Sequence, residues 1–70
     1  MIVQLSKIVA KRVREIRLEK KLSQAALADR LGWPQPQLSD LETGKHEPKL
    51  PTIEAVAKAL RVPVDTLFVG

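Results

Sequence analysis

The chain has 70 residues, no cysteine, one histidine and a net charge of +4. A chain of this length makes one small domain, and without cysteine it cannot close a disulfide or a thiolate metal site. Apolar residues form 44% of the composition, enough for a packed core, whereas one Trp, one Phe and no Tyr are too few for the base-stacking surfaces of RNA-binding modules.

The positive charge is concentrated in residues 6–21, where seven basic and two acidic residues give a net charge of +5. A basic segment of this kind favours a nearby polyanion, although a solvated helix face would have the same composition. No apolar run reaches the length of a membrane span, and MIVQLSK is too short and wrongly flanked for a signal peptide. We therefore expect a cytoplasmic protein.

The first element predicted along the chain is an N-terminal arm, residues 1–6, which is apolar and β-prone. A short strand that packs on a partner is the alternative for this segment. Ser6 can cap a first helix over residues 7–20. The residues that recur there at helical spacing are Val9, Val13, Ile16 and Lys20.

A second helix is predicted over residues 24–31. Ser23 can cap its start, and Gly32 can end it, because glycine enters the left-handed conformation without a steric penalty. The small Ala28 suits a close helix crossing, since a larger side chain would separate the two helices. The apolar stripe of this helix consists of Leu27, Ala28 and Leu31.

The third helix is predicted over residues 35–42, directly after a tight turn. Pro34 and Pro36 are tolerated at its start, because the first N–H groups of a helix have no acceptor within the helix. Leu38 and Leu41 are three residues apart and are expected to face inward. Two short helices joined in this way can seat the second one in the major groove of DNA.

A loop over residues 45–49 and two further helices complete the prediction. The fourth helix is expected over residues 50–60, and a short fifth helix follows Pro63 over residues 64–68. The apolar pattern of the fourth helix consists of Leu50, Ile53, Val56, Ala57 and Leu60. The fifth helix is expected to bury Val64 and Leu67, with Phe68 as a further candidate. The fold class expected is therefore all-α, a compact five-helix bundle in which residues 7–68 form a single domain.

Several short motifs occur in an order and at a spacing that are together highly specific. They are R-E-I-R at 14–17, L-S-Q-x-x-L-A at 22–28, L-G at 31–32, L-S-x-L-E-x-G at 38–44, the loop proline Pro48, and A-K-A-L-x-V-x-x-D-x-L-F at 57–68. In these motifs the chain resembles the Cro/repressor-type, or XRE-like, helix-turn-helix family. The resemblance implies a lambda-repressor-like DNA-binding fold whose second and third helices form the helix-turn-helix.

The residues expected to contact bases lie on the third helix: Gln35, Pro36, Gln37, Ser39 and Asp40. Glutamine can bond adenine in bidentate fashion, and a carboxylate can accept a hydrogen bond from cytosine N4. A base-contacting helix that is rich in glutamine and lacks arginine favours A·T pairs. A carboxylate near phosphates costs affinity, so Asp40 is either a discriminator between bases or a solvated residue.

Phosphate contacts are expected at both ends of the motif. Gln24 begins the second helix, where the helix dipole and free N–H groups suit a phosphate and where similar proteins hold the backbone. Thr43, the Gly44 amide and Lys45 follow the third helix and can bind the next phosphates. Further candidates, for phosphate steering, are Arg12 and Arg14. The loop His46 is either solvated or an extra phosphate contact.

Other residues are expected to support the motif. The resemblance implies a structural ion pair between Arg17 and Glu42. Trp33 is expected to cover the turn, with its indole N–H on a phosphate as the alternative. Lys21 stands where relatives often have glycine, so a left-handed conformation there would be mildly strained.

The leading hypothesis is a sequence-specific regulator of transcription, most simply a repressor that binds an operator in double-stranded DNA as a two-fold dimer. The alternative is the antitoxin of a toxin–antitoxin pair that binds its own operator, and co-purification of a larger partner would discriminate the two. No enzyme, cofactor, metal or small-molecule substrate is expected, because nothing resembles a phosphate loop or a catalytic pair. Candidates for the dimer surface are Ile2, Val3, Leu67, Phe68 and Val69.

Overall fold

The computed structural model describes residues 5–68, and within that range every regular element is helical. The elements are α1 (Leu5–Glu19), α2 (Gln24–Leu31), α3 (Gln35–Glu42), α4 (Leu50–Leu60) and a single 3-10 turn (Val64–Leu67). The bounds of α2, α3 and α4 are those predicted. The predicted fifth helix is not confirmed as an α-helix. Its four residues form a 3-10 turn with i→i+3 bonds, such as Thr66 N–H to Pro63 O at 3.1 Å.

The start of α1 differs from the prediction. The helix begins at Leu5, so Ser6 lies inside it and the capping role expected of Ser6 is wrong. Leu5 is half-buried against the core and extends the apolar stripe of α1 by one turn. The predicted arm therefore overlaps α1 at its last two residues, and residues 1–4 lie outside the described range. Lys20 follows the helix end and is exposed.

All four α-helices end in the same way, on a residue in the left-handed conformation. These residues are Lys21, Gly32, Gly44 and Arg61, with φ between 57° and 71°. After α2, for example, Gly32 N–H donates to Asp29 O at 3.1 Å and Trp33 N–H donates to Ala28 O at 3.0 Å. This bonding pattern is the Schellman motif, which satisfies the last carbonyl groups of each helix. The left-handed conformation expected at Lys21 is therefore present.

The core is built from all four α-helices and the 3-10 turn. Its most deeply buried large side chains are Leu27, Leu38, Leu60, Leu67, Val9, Val13 and Val56. Leu67 is fully buried, so the prediction that it lies on a dimer surface is wrong: its side chain fills the centre of a single domain. Helix α3 packs against α1 on one side and α2 on the other, while α4 closes the core with α2 and the 3-10 turn.

Candidate nucleic-acid interface

Helix α3 buries one edge and leaves the remainder of its surface polar. Leu38 and Leu41 are its only buried residues among those described, and both pack in the core. Because successive residues turn by 100° around a helix, the side opposite these leucines carries Pro36, Ser39 and Asp40. Gln35 and Gln37 lie at the two edges of that surface, and both are exposed. The five residues predicted to contact bases therefore share one continuous face.

The local sequence explains how α3 forms without a conventional cap. Pro34, the residue before the helix, has an extended conformation with ψ 143° but no side chain that could accept a hydrogen bond. Its carbonyl oxygen accepts from Gln37 N–H at 3.0 Å, which begins the helical bonding. Pro36 needs no acceptor for an N–H group and already has a φ suited to the first turn.

A chain of side-chain hydrogen bonds holds Gln35 in place. Gln35 Nε2 donates to Gln24 Oε1 at 3.2 Å, and Gln24 Nε2 donates in turn to Glu42 Oε1 at 3.3 Å. The chain ends at Arg17, which binds the same carboxylate. Gln35 is thus connected, through two intermediates, to a charged pair beneath the surface. This link was not anticipated from the sequence, since the two glutamines are 11 residues apart and no pattern marks them as partners.

Arg17 and Glu42 form a two-pronged ion pair between α1 and α3. Arg17 Nε lies 2.7 Å from Glu42 Oε2, and Arg17 Nη2 lies 3.0 Å from Glu42 Oε1. Only 10% of the arginine side chain and 4% of the carboxylate side chain are exposed. A third donor of the guanidinium, Nη1, binds Leu22 O at 2.8 Å. The pair therefore fixes the end of α3 against α1 and against the start of the turn before α2.

The C-terminal end of α3 lies against the first turn of α1. Gly44 has φ +71°, and a Cβ atom added to it would lie 3.3 Å from Lys7 Cγ and 3.5 Å from Lys7 Cα. Both the conformation and the close approach therefore favour glycine. Thr43 Oγ1 donates to Ser39 O at 3.1 Å and is exposed. Lys45 Nζ lies 3.9 Å from Asp40 Oδ1, an exposed pair of the kind that contributes little to stability.

The opposite edge of α3 borders a cleft of about 260 Å³ beside the loop that leads to α4. Trp33 packs against the core, as expected of a lid over the turn, and also lines this cleft. The other lining residues include Gln37, Asp40, His46 and Pro48. His46 is exposed, at the border of the candidate interface.

Arg12 differs from the two other arginines of α1. Its Nε donates to Thr66 O at 3.2 Å, and its Nη1 lies 3.3 Å from Glu15 Oε1. The guanidinium thus ties α1 to the 3-10 turn, and phosphate steering by Arg12 stays a prediction. Thr66 is 54 residues away in sequence, which is why the sequence gives no sign of this contact. Arg14, in contrast, is exposed.

Metal sites and membrane-spanning helices are both absent between residues 5 and 68. No group of His, Asp or Glu side chains in that range is arranged to hold a metal ion. Over the same residues, no helix combines the length and the hydropathy needed to cross a membrane.

The sequence of this domain matches the model of a known protein family. The HTH_3 model, described as helix-turn-helix, matches residues 13–67. The chain belongs to this helix-turn-helix family. The immunity repressor protein of Bacillus phage phi105 is 39% identical to it over 59 residues, which cover 84% of this chain and 41% of that protein. The helix-turn-helix chain thus spans about two fifths of the length of this relative.

Solved helix-turn-helix structures share the fold. The hypothetical transcription factor NHTF from Neisseria has a TM-score of 0.87 and 31% identity, over 93% of this chain and 75% of that one. The restriction-modification controller protein C.AhdI from Aeromonas hydrophila has a TM-score of 0.84 and 32% identity, over 90% and 96%. The family expected from the sequence motifs is thereby confirmed.

Proposed function

We propose that this domain is the DNA-reading part of a sequence-specific repressor, which inserts α3 into the major groove of an operator. The observation that carries the proposal is the continuous polar face of α3, held in position by contacts from α1 and α2. A helix of eight residues is short enough to lie in the groove, which is about 12 Å wide. The similarity to a phage immunity repressor supports action as a repressor.

Gln35 is the side chain best prepared to read a base. A glutamine amide has two N–H donors and one carbonyl acceptor, and the bond to Gln24 uses a single donor. Over residues 5–68 no other hydrogen bond involves the Gln35 amide. The second N–H and the carbonyl oxygen are the two groups that pair with adenine N7 and N6. Since the bond to Gln24 already restricts the side chain, less conformational entropy is lost when the base is bound.

The phosphates on either side of the reading helix have separate candidate partners. At the N-terminus of α2, Gln24 lies where unpaired N–H groups and the helix dipole favour an anion. Beyond α3, the exposed Thr43 and Lys45 flank Gly44, whose left-handed conformation turns the chain away from the helix. These contacts would fix the register of α3 without reading sequence.

Binding as a two-fold dimer completes the proposal. One domain offers few base contacts, and a dimer would place two copies of α3 on half-sites about 34 Å apart. Of the candidates named for the dimer surface, Phe68 is the described residue that remains exposed, with 38% of its surface accessible. The other candidates, Ile2, Val3 and Val69, lie outside the described range.

Selection of bound sequences from random duplexes tests the proposal and gives both the half-site and its spacing. We expect a two-fold symmetric sequence that includes an A·T pair read by Gln35. Gln35→Ala should lose about 1–3 kcal/mol on that sequence and relax a single base position. Lys58→Ala, an exposed change on α4, should leave the selected sequence unchanged. Equal base discrimination by parent and Gln35→Ala would show that Gln35 is not a reader.

A further inference from the structure

One side of α1 carries a stripe of exposed side chains that the helix-turn-helix does not use. Its members, spaced by four, three and four residues, are Lys7, Lys11, Arg14 and Leu18. Residues at such spacing lie above one another along a helix, so the three cations form a row. With a rise of 1.5 Å per residue, the row is about 10 Å long. We call Lys7, Lys11 and Arg14 the α1 basic row.

The α1 basic row forms one wall of a groove, and the end of α3 forms the other. The groove has a volume of about 400 Å³, and its opposite wall includes Glu42 and Thr43. The Lys7 side chain begins next to Gly44, because Lys7 Cγ lies 3.3 Å from the place a glycine Cβ would take. The row therefore starts beside Thr43, Gly44 and Lys45, the candidate phosphate contacts that follow α3.

The acidic residues that line this groove are already paired. Glu15 lies 3.3 Å from Arg12, and Glu42 is held by Arg17 at 2.7 Å. None of the three cations of the α1 basic row has an ion-pair partner within residues 5–68. Like charges at such spacing destabilise a helix slightly, so the row is not explained by the stability of α1. Its charge is available to an anion that comes from outside the domain.

We propose that the α1 basic row is a second contact with the DNA backbone, which continues the path of phosphates from the end of α3 onto DNA beyond the bases that α3 reads. This inference rests on the proposed function. A row about 10 Å long reaches more than one phosphate of a single strand. The groove beside the row leaves space for the sugar-phosphate chain. The row adds affinity and salt dependence but does not read sequence.

The salt dependence of DNA binding tests the row directly. Each lost phosphate contact lowers the slope of log K against log salt by about 0.9. Lys7→Gln/Lys11→Gln should therefore reduce the slope by about 1.8, which corresponds to binding about 60-fold weaker at 0.1 M salt if affinities converge at 1 M. Glutamine keeps the Cγ atom that packs beside Gly44, so the fold should be retained, which unchanged thermal melting verifies. Adding Arg14→Gln should reduce the slope by about a further 0.9.

The matched control is Lys20→Gln/Lys58→Gln, which removes the same charge at exposed positions away from the groove. It should keep the slope of the parent protein. The length of the duplex supplies a second readout: ten flanking base pairs on each side of the site should raise the slope for the parent but not for Lys7→Gln/Lys11→Gln/Arg14→Gln.

The outcomes separate the two proposals. A parent protein that selects no duplex would overturn the proposed function. If the parent binds its selected duplex, but Lys7→Gln/Lys11→Gln and the control have equal slopes, the inference about the α1 basic row is wrong and the proposed function stands. A slope that is insensitive to flanking length in the parent would also contradict the inference.

Discussion

Helices α3 and α4 obey the same local rules and serve different purposes. Each has a proline in its first turn, and each is followed by a residue in the left-handed conformation. However, α4 buries four of its eleven residues, whereas α3 buries two of eight and exposes a polar face. The comparison teaches that local sequence makes a helix, while the distribution of apolar residues decides whether it supports the core or is presented on the surface.

Because α3 has little apolar surface, its position depends on polar links to its neighbours. The ion pair of Arg17 and Glu42 joins it to α1, and the bond of Gln35 to Gln24 joins it to α2. Helix α4 is held mainly by the apolar contacts of Ile53, Val56, Ala57 and Leu60, with one exposed polar link from Arg30 Nη1 to Ala59 O at 3.2 Å. Disrupting a polar link should therefore affect α3 selectively.

The largest effect is expected at the buried ion pair. Glu42→Leu leaves Arg17 charged and buried without its carboxylate, so the free energy of unfolding should fall by about 3–5 kcal/mol. Urea denaturation followed by circular dichroism measures this change. Arg17→Met/Glu42→Leu should recover part of the loss, because no unpaired charge remains. Equal losses in the single and double variants would show that the charge of Arg17 is not the cause.

An effect of intermediate size is expected when the carboxylate of Asp40 on α3 is removed, and removal of the carboxylate of Glu54 on α4 is its control. We propose that Asp40 discriminates between bases, since it lies on the polar face of α3. Asp40→Ala should then lose about 1–3 kcal/mol of discrimination at one base position, measured by competition between operator variants. Glu54→Ala, an exposed change on α4, should leave discrimination unaltered. Stronger binding of all duplexes by Asp40→Ala would instead show that Asp40 only repels phosphates.

The smallest effects are expected at the two helix ends. Gly44→Ala should lower the free energy of unfolding by about 1–2 kcal/mol, because the left-handed conformation disfavours a Cβ atom and Lys7 lies close by. Arg61→Gly, at the corresponding position after α4, should raise it by about 0.5 kcal/mol, since relief of the strain exceeds the entropy gained by the unfolded chain. Thermal melting of both variants checks the signs; changes of the same sign would contradict this account.

Much of the fold is predictable because the residues that begin and end its helices act locally. The bounds of α2 follow from Ser23, whose Oγ accepts from Ala26 N–H at 3.0 Å, and from the left-handed Gly32. The start of α1 could not be found in this way. There Ser6 has the character of a cap, whereas Leu5 before it is already helical and packs against a core whose residues lie far along the chain. The same reason explains Leu67, whose apolar character fits either a dimer surface or the core.

The sequence predicts which residues lie on the exposed face of α3, but it does not predict the hydrogen bonds between them and the other helices. The face of α3 follows from the helical period once Leu38 and Leu41 are placed inward. The bond between Gln35 and Gln24 does not, since glutamines on two helices meet only when the crossing geometry is known. The contact of Arg12 with Thr66 is hidden for the same reason, because the two residues are 54 positions apart in the sequence.

The central claim is that α3, rather than any other surface, enters the DNA. Titration of isotopically labelled protein with its selected duplex, followed by backbone amide chemical shifts, tests it most directly. The largest changes should occur in residues 35–40 and at the start of α2, with residues 53–60 of α4 little affected. Changes concentrated in α4 or the 3-10 turn, with α3 undisturbed, would contradict the account.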